Sequence, residues 1–232
     1  AVMKRSVLEQ VQAARDAVLP TVLITHLADG AQALIVKGEV VAGDLMPDTA
    51  LKTAADDCLR QDKSRTVDGY FLQIFNPPLR LIVIGAVHIA QALVPMATLA
   101  GYAVTVIDPR GAWASEARFP GVNVIQDWPE EVMIAQKPDR RTAIVALTHD
   151  PKLDDPALAV ALKSDAFYIG ALGSKKTAAA RAERLQQSGS DPDAIAGIDG
   201  PIGLNIGAIS PAEIAVSILA KMTLALRGPK GG

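Results

Sequence analysis

Short apolar runs alternate with amphipathic segments beyond residue 78. Buried strands are indicated where branched and aliphatic residues cluster, at 79–84, 103–108, 122–126, 142–147 and 166–170. Helical spacing is indicated at 88–100, 129–136, 156–163, 174–187 and 211–227. Because strands that alternate with helices form parallel sheets covered on both faces, this region predicts a Rossmann-like α/β fold.

The region before residue 78 has a mixed pattern. Helix-like segments lie at 4–18 and 49–60, and strand-like segments lie at 21–27, 33–36 and 70–75. Asp29-Gly30, between two apolar runs, favours a hairpin turn. The region ends at Asn76-Pro77-Pro78, and consecutive prolines disfavour both helix and central strand. We expect two domains, a small N-terminal α+β domain over residues 1–76 and a Rossmann-like domain over residues 77–232.

The composition favours a packed core and argues against several classes of protein. Hydrophobic residues make up 50% of the chain and the net charge is −2, which gives no support for a nucleic-acid surface. The one cysteine, Cys58, excludes a disulfide framework and favours a reducing compartment. The histidines lack the spacing of metal ligands, and no apolar run reaches the roughly 18 residues of a membrane span. We expect a cytoplasmic protein that holds no metal through its own side chains.

The most informative unit covers residues 79–110. Its first apolar run ends at Gly85, a helix opens near His88, and its second apolar run ends at Asp108. In dinucleotide-binding proteins this layout places a phosphate on a helix N-terminus and a ribose hydroxyl on a carboxylate. The fingerprint G-x-G-x-x-G/A has Val87 at its middle glycine, where a branched side chain opposes the approach of a pyrophosphate. The unit predicts a nucleotide-type fold without favouring tight binding of an ordinary dinucleotide.

In such sheets, ligands bind outside the carboxyl ends of the strands. Four predicted strands bring candidate cofactor-binding residues to that edge: Gly85, Ala86, Val87 and His88; Asp108 and Arg110; Thr148, His149, Asp150 and Lys152; and Gly170, Gly173, Ser174, Lys175 and Lys176. No catalytic constellation is recognisable among them. We therefore expect a binding crevice, with no residue assigned to catalysis.

Lys175 and Lys176 give the sharpest physical clue at this edge. Ser174 has the character of an N-cap, so both lysines fall in the first turn of the following helix. A cation there opposes the helix dipole by about 0.3–1 kcal/mol, and a bound anion would reverse that cost. The alternative is a pair of solvated lysines on an amphipathic helix.

The other candidates also have structural alternatives. Asp108 is suited to bind a ligand hydroxyl, or to close the strand and cap the turn that follows. Arg110 is suited to bind a phosphate, or to pair with Asp108 itself. His88 and His149 are candidates for an acid, a base or a hydrogen-bond donor, although a lone histidine is more often structural.

Two later helix starts combine a capping residue with proline. Asp155 is expected to be an N-cap, with Pro156 as the first helical residue. Ser210 and Glu213 fit a capping box, and Pro211 between them fits the first helical position. The helix after Ser210 is mostly apolar, so we expect it to belong to the core.

Several of these segments together resemble the XdhC/CoxI family of xanthine dehydrogenase accessory proteins. The longest matching runs read T-H-D-P-K-L-D-D at 148–155 and Y-I-G-A-L-G-S at 168–174. Shorter ones lie at 85–92, 104–110, 118–120, 201–207 and 211–215. The resemblance implies a dimeric, chaperone-like maturation factor that binds the molybdenum cofactor, as molybdopterin or its dinucleotide form. It also implies that a cysteine desulfurase sulfurates the cofactor before insertion into a xanthine dehydrogenase-type molybdoenzyme.

Three features depart from the family pattern. Val87 and Asn205 stand where the family commonly has glycine and aspartate. Many members carry an N-terminal G-G-C motif, and the comparable region here, residues 41–45, contains no cysteine.

The fold leaves two other hypotheses open, an NAD-dependent oxidoreductase and a nucleotide-binding scaffold. The leading hypothesis is a cofactor carrier without turnover chemistry of its own.

Overall fold

The computed structural model describes residues 4–228 and divides the chain into two compact units. The first unit ends at Pro77 and the second begins at Pro78. The first is built on an antiparallel sheet and the second on a parallel sheet with helices, which confirms the predicted α/β class. None of the helices within residues 4–228 is long and apolar enough to cross a membrane.

The first unit is a five-stranded antiparallel sheet with one helix against each face. Its elements are α1 (Arg5–Asp16), β1 (Thr21–His26), β2 (Gln32–Val36), β3 (Glu39–Gly43), α2 (Thr49–Gln61), β4 (Arg65–Val67) and β5 (Tyr70–Phe75), in the strand order β3-β2-β1-β5-β4. Val22 and Ile24 of β1 face the core formed with α2, whereas Leu23 packs with α1. Cys58 is fully buried in the α2 core, in agreement with a structural role.

The apolar pattern does not reveal β3 and β4, the two edge strands of this sheet. β3 is largely exposed and β4 has only three residues, so neither forms a long apolar run. Tight turns at Lys37-Gly38 and Asp68-Gly69 connect them to their neighbours, with positive φ at both residues of each turn. Asp68-Gly69 is a strong hairpin signal, so β4 could have been predicted from the sequence. The predicted turn at Asp29-Gly30 is present between β1 and β2.

The second unit is a five-stranded parallel sheet covered on both faces. Its elements are β6 (Leu79–Ile84), α3 (His88–Leu99), β7 (Tyr102–Ile107), β8 (Asn123–Ile125), α4 (Pro129–Gln136), β9 (Thr142–Ala146), α5 (Pro151–Ala161), β10 (Tyr168–Ala171), α6 (Lys175–Gln187), α7 (Pro192–Ala196) and α8 (Pro211–Arg227). The strand order is β10-β9-β6-β7-β8. Leu81 and Val83 of β6 pack with α3 and α8, and Ile82 and Ile84 pack with α4 and α5. All strands therefore end at one common edge.

Helix α5 starts earlier than predicted. It begins at Pro151, and the side chain of Asp150 caps it by accepting a backbone N–H of the first turn at 3.0 Å. The prediction that Asp155 is the N-cap is wrong, because Pro156 lies inside the helix. Two Asp-Pro pairs compete in this segment. The earlier start places Leu153 on the buried side of the helix, which adds apolar surface to the core.

The other predicted helix caps are confirmed. Ser174 accepts the backbone N–H of Thr177 at 3.2 Å at the start of α6. Ser210 and Glu213 form the expected capping box at the start of α8. Helix α7 was not predicted, since its five residues are too few to show a helical period.

Candidate functional site

The carboxyl edge of the parallel sheet brings most of the predicted binding residues together. Strands β10, β9, β6 and β7 end side by side, and each is followed by a loop with members of the predicted set. These loops cover 85–87 after β6, 108–110 after β7, 147–150 after β9 and 172–174 after β10. Lys152 lies in the first turn of α5, and Lys175 and Lys176 begin α6. Gly170 is the exception, because it lies within β10.

Two of the predicted glycines allow close packing inside the protein. Gly85 has a φ of +103°, and a Cβ there would lie 2.6 Å from Cγ2 of Thr148. A Cβ at Gly170 would lie 2.7 Å from side-chain atoms of Ile202 and Tyr168. Both distances are shorter than carbon atoms tolerate. Gly85 therefore lets the loops after β6 and β9 approach each other, and packing accounts for Gly170.

Asp108 joins the loops after β6 and β7. Its carboxylate is completely buried, and Oδ2 accepts the backbone N–H of Ala86 at 2.9 Å and Nη2 of Arg110 at 2.7 Å. Oδ1 accepts the backbone N–H and Nε of Arg110, at 3.0 and 2.8 Å. Burial works to raise the pKa of the Asp108 carboxyl, but these hydrogen bonds outweigh it and hold that pKa below its usual value. Of the two alternatives for Arg110, the structure shows the ion pair with Asp108.

A buried polar network joins the loops after β9 and β10. Asp154, which is 1% exposed, accepts the Thr148 hydroxyl at 2.7 Å and lies 3.8 Å from Nη2 of Arg181. The same nitrogen donates to the Leu172 carbonyl at 2.9 Å. Burial raises the pKa of the Asp154 carboxyl and lowers that of the Arg181 guanidinium. The network therefore ties both loops to α6.

Sequence reasoning missed Asp154 and Arg181 as residues that shape the site. The signal was present, since each is a charged residue on the buried side of its helix. For Asp154 the signal is visible only when α5 starts at Pro151, because the later start predicted at Asp155 leaves Asp154 outside the helix; Arg181 lies within the helix that was predicted.

An aromatic and cationic cluster flanks the loop after β6. Arg118 donates through Nη1 to the carbonyls of Ala86 and Trp113, both at 2.8 Å, and its guanidinium lies 5.1 Å from the Trp113 ring centre. Arg110 approaches the same ring at 5.8 Å. The His88 ring meets it edge-on, with 6.2 Å between ring centres. Trp113 thus contacts two predicted residues, although no spacing rule pointed to it.

The exposed ionisable side chains of the predicted set are cations and imidazoles. They are His88, His149, Lys152, Lys175 and Lys176, and the side chain of Arg110 is 40% exposed. The acids of the set have internal partners, because Asp108 is buried and Asp150 caps α5. His149 has a φ of +63°, a left-handed conformation that few non-glycine residues adopt. Apart from the half-buried Asp150, the ionisable side chains of the predicted set that meet solvent are therefore lysines, Arg110 and imidazoles.

Helix α3 begins at this edge of the sheet, and its first residue is His88. Its N-cap residue is Val87, and within residues 4–228 no side chain forms a cap hydrogen bond there. The first N–H groups of a helix have no intrahelical partner, and together with the helix dipole they attract anions. Arg110 and His88 lie near this helix start, both in contact with Trp113. The start of α3 is thus suited to a phosphate or carboxylate group.

Known proteins share this second unit. The family model of the XdhC Rossmann domain matches residues 81–222. A protein from Bacillus subtilis, named as a probable subunit of xanthine dehydrogenase, is 35% identical over 156 residues, which cover 66% of this chain and 44% of that protein. The molybdenum cofactor insertion chaperone PaoD from Escherichia coli is 29% identical over 148 residues, which cover 64% of this chain and 40% of PaoD.

A solved structure resembles the chain over almost its whole length. It is a crystal structure of a xanthine dehydrogenase from Bacillus halodurans, with a TM-score of 0.75 and 25% identity. The match covers 98% of this chain and 66% of that one. The chain spans less than half of the length of the two curated relatives. The matched family region contains every residue of the predicted set and confirms the resemblance found in the sequence: the chain belongs to the XdhC family.

Proposed function

We propose that this chain binds the molybdenum cofactor as cargo and supports its insertion into a xanthine dehydrogenase-type molybdoenzyme. The names of two relatives, a molybdenum cofactor insertion chaperone and a probable component of xanthine dehydrogenase, support this direction. The observation that carries the proposal is the carboxyl edge of the parallel sheet, whose loops lie within the family region and have cationic and imidazole groups at exposed positions. In this role the chain is a carrier, with no catalytic residue of its own.

The chemistry of the cargo fits these groups. The molybdenum cofactor carries a pterin, a dithiolene and a phosphate, and its dinucleotide form carries a second phosphate. Phosphates bind at helix starts and to lysine or arginine side chains. Lys175 and Lys176 at the start of α6, Lys152 in the first turn of α5 and Arg110 after β7 supply such partners at the carboxyl edge of the sheet. We assign the phosphate end of the cargo to these residues.

Sulfuration would require a second protein. The chain has a single cysteine, Cys58, and that thiol is fully buried in the first unit. A thiol in that position is inaccessible to a bound cofactor, so we assign sulfur delivery to a partner cysteine desulfurase. The homodimer and the cytoplasmic location expected from the sequence also belong to this proposal.

Equilibrium binding tests the proposal directly. The purified chain is titrated with the molybdenum cofactor in both forms, and binding is followed by quenching of tryptophan fluorescence or by ultrafiltration. Micromolar or tighter binding is expected. No binding of either form would contradict the proposed function.

A charge variant locates the site. The double substitution Lys175→Ala with Lys176→Ala is expected to weaken cofactor binding about tenfold or more, because each lost contact joins charged groups. The matched control removes two exposed cations before strands β9 and β10, at the opposite edge of the sheet, by Arg140→Ala with Lys163→Ala. The control should bind like the unmodified chain. Equal losses in both variants would mean that net charge, rather than this crevice, determines affinity.

A further inference from the structure

The carboxylate that recognises ribose in related folds is not available in this structure. In dinucleotide-binding folds the acid at the end of the second strand accepts the ribose hydroxyls. Asp108 holds that position, after β7, but its exposed fraction is 0%. Three of the four hydrogen bonds to its oxygens come from Arg110, and the fourth comes from the backbone of Ala86. A ribose diol would therefore find both oxygens already occupied.

It is the side chain of Arg110, and not its backbone, that blocks access to the Asp108 carboxylate. Nε and Nη2 of Arg110 form a fork on the two carboxylate oxygens, at 2.8 and 2.7 Å. Without the guanidinium, the carboxylate would keep only two backbone N–H donors, from Ala86 and residue 110. The guanidinium is also the exposed partner of the pair, since 40% of its side chain is in contact with solvent. It thus stands between Asp108 and any ligand.

We propose that Arg110 is a specificity-determining residue that excludes ligands recognised through a ribose diol at Asp108, such as NAD and other adenine nucleotides. This role of Arg110 rests on the proposed function in one respect only, namely that the ligand binds at the carboxyl edge of the parallel sheet. It explains how a chain of this fold keeps a nucleotide-type crevice for another anionic ligand, free of competition from abundant adenine nucleotides.

The test compares AMP with 2′-deoxy-AMP. AMP carries the ribose diol but no pyrophosphate, so the side chain of Val87 does not interfere. In the unmodified chain both nucleotides should bind equally weakly. In Arg110→Ala, AMP should bind about tenfold or more tightly than 2′-deoxy-AMP, the size of one hydrogen bond to a charged group. Arg110→Lys keeps the charge but loses the planar fork, so its preference should be intermediate.

A second substitution checks the cause. Asp108→Asn in the Arg110→Ala background removes the charged acceptor and should abolish the preference for AMP. A tenfold preference for AMP in the unmodified chain would overturn the proposal, and that measurement needs no variant to fold. A folded Arg110→Ala chain without any preference would overturn it as well. Neither result depends on whether the molybdenum cofactor binds, so this inference and the proposed function can fail separately.

Discussion

Gly85→Ala should destabilise the second unit more than an ordinary glycine substitution. The residue has a φ of +103°, and an added methyl group would lie 2.6 Å from Cγ2 of Thr148 and 3.2 Å from its backbone nitrogen. The left-handed backbone costs a non-glycine residue about 1–2 kcal/mol. Forcing an extra methyl group into a packed site costs typically about 1–3 kcal/mol more. We therefore expect a loss of about 2–5 kcal/mol in the free energy of unfolding.

Gly101→Ala is the matched control for the backbone contribution. Gly101 has a φ of +88°, in the same unit, and a Cβ there would meet no atom within 4 Å. Gly101→Ala should therefore lower the free energy of unfolding only by the backbone contribution of about 1–2 kcal/mol. Urea unfolding followed by tryptophan fluorescence suits the measurement, because both tryptophans, Trp113 and Trp128, lie in the second unit.

Thr148→Ser tests which atom makes Gly85→Ala more destabilising than Gly101→Ala. Serine keeps the hydroxyl that bonds to Asp154 but lacks Cγ2, the atom nearest to the added methyl group. Gly85→Ala should therefore cost less in the Thr148→Ser background than in the unmodified chain. Equal losses for Gly85→Ala and Gly101→Ala would refute the reasoning. It would then be the turn alone, and not the approach of the two loops, that requires glycine at position 85.

Two further predictions concern the buried charges. Arg181→Met should lower the free energy of unfolding by about 3–5 kcal/mol, because it leaves Asp154 as an uncompensated buried charge. Adding Asp154→Asn should recover part of that loss in urea unfolding, and a purely additive double variant would count against the pairing. The pKa of Asp108 is lowered from the usual 3.8 in the folded chain, so the free energy of unfolding should depend on pH in the acid range. Its stabilisation is present above that pH and is lost as pH falls towards the lowered pKa. Asp108→Asn should therefore flatten the acid side of the stability profile, and an unchanged slope would argue against the pair.

The parallel sheet could be predicted because its central strands β6 and β9 are buried on both faces. Runs such as 79–84 and 142–147 are apolar at nearly every position, and the structure places strands at both. The edge strands of the first unit had no such signal, because β3 is largely exposed and β4 is very short. The start of α5 was wrong for a different reason. Asp150 and Asp155 both precede proline, and only packing decides between two chemically equivalent caps.

The candidate site could be predicted in position but not in its internal bonding. Strand order places the loops side by side once the sheet is parallel, so residues distant in sequence were correctly brought to one edge. The partners within that edge could not be read from spacing. Asp154 of α5 lies 3.8 Å from Arg181 of α6 because these two helices pack in one particular register. Contacts of this kind depend on tertiary packing, which a single sequence does not specify residue by residue.

Asp108 shows why a glycine followed by an acid is an ambiguous pattern. The same spacing describes an acid open to a ligand and an acid folded back onto its own loop, and the deciding residue lies two positions later. Pro109 fixes its own φ, and Arg110 then brings its backbone N–H and its guanidinium to the carboxylate together. A shorter or uncharged side chain at position 110 could not reach both oxygens with a fork. The sequence Asp-Pro-Arg at the end of this second Rossmann strand is therefore better interpreted as a closed acid, with the arginine, rather than the aspartate, exposed to solvent.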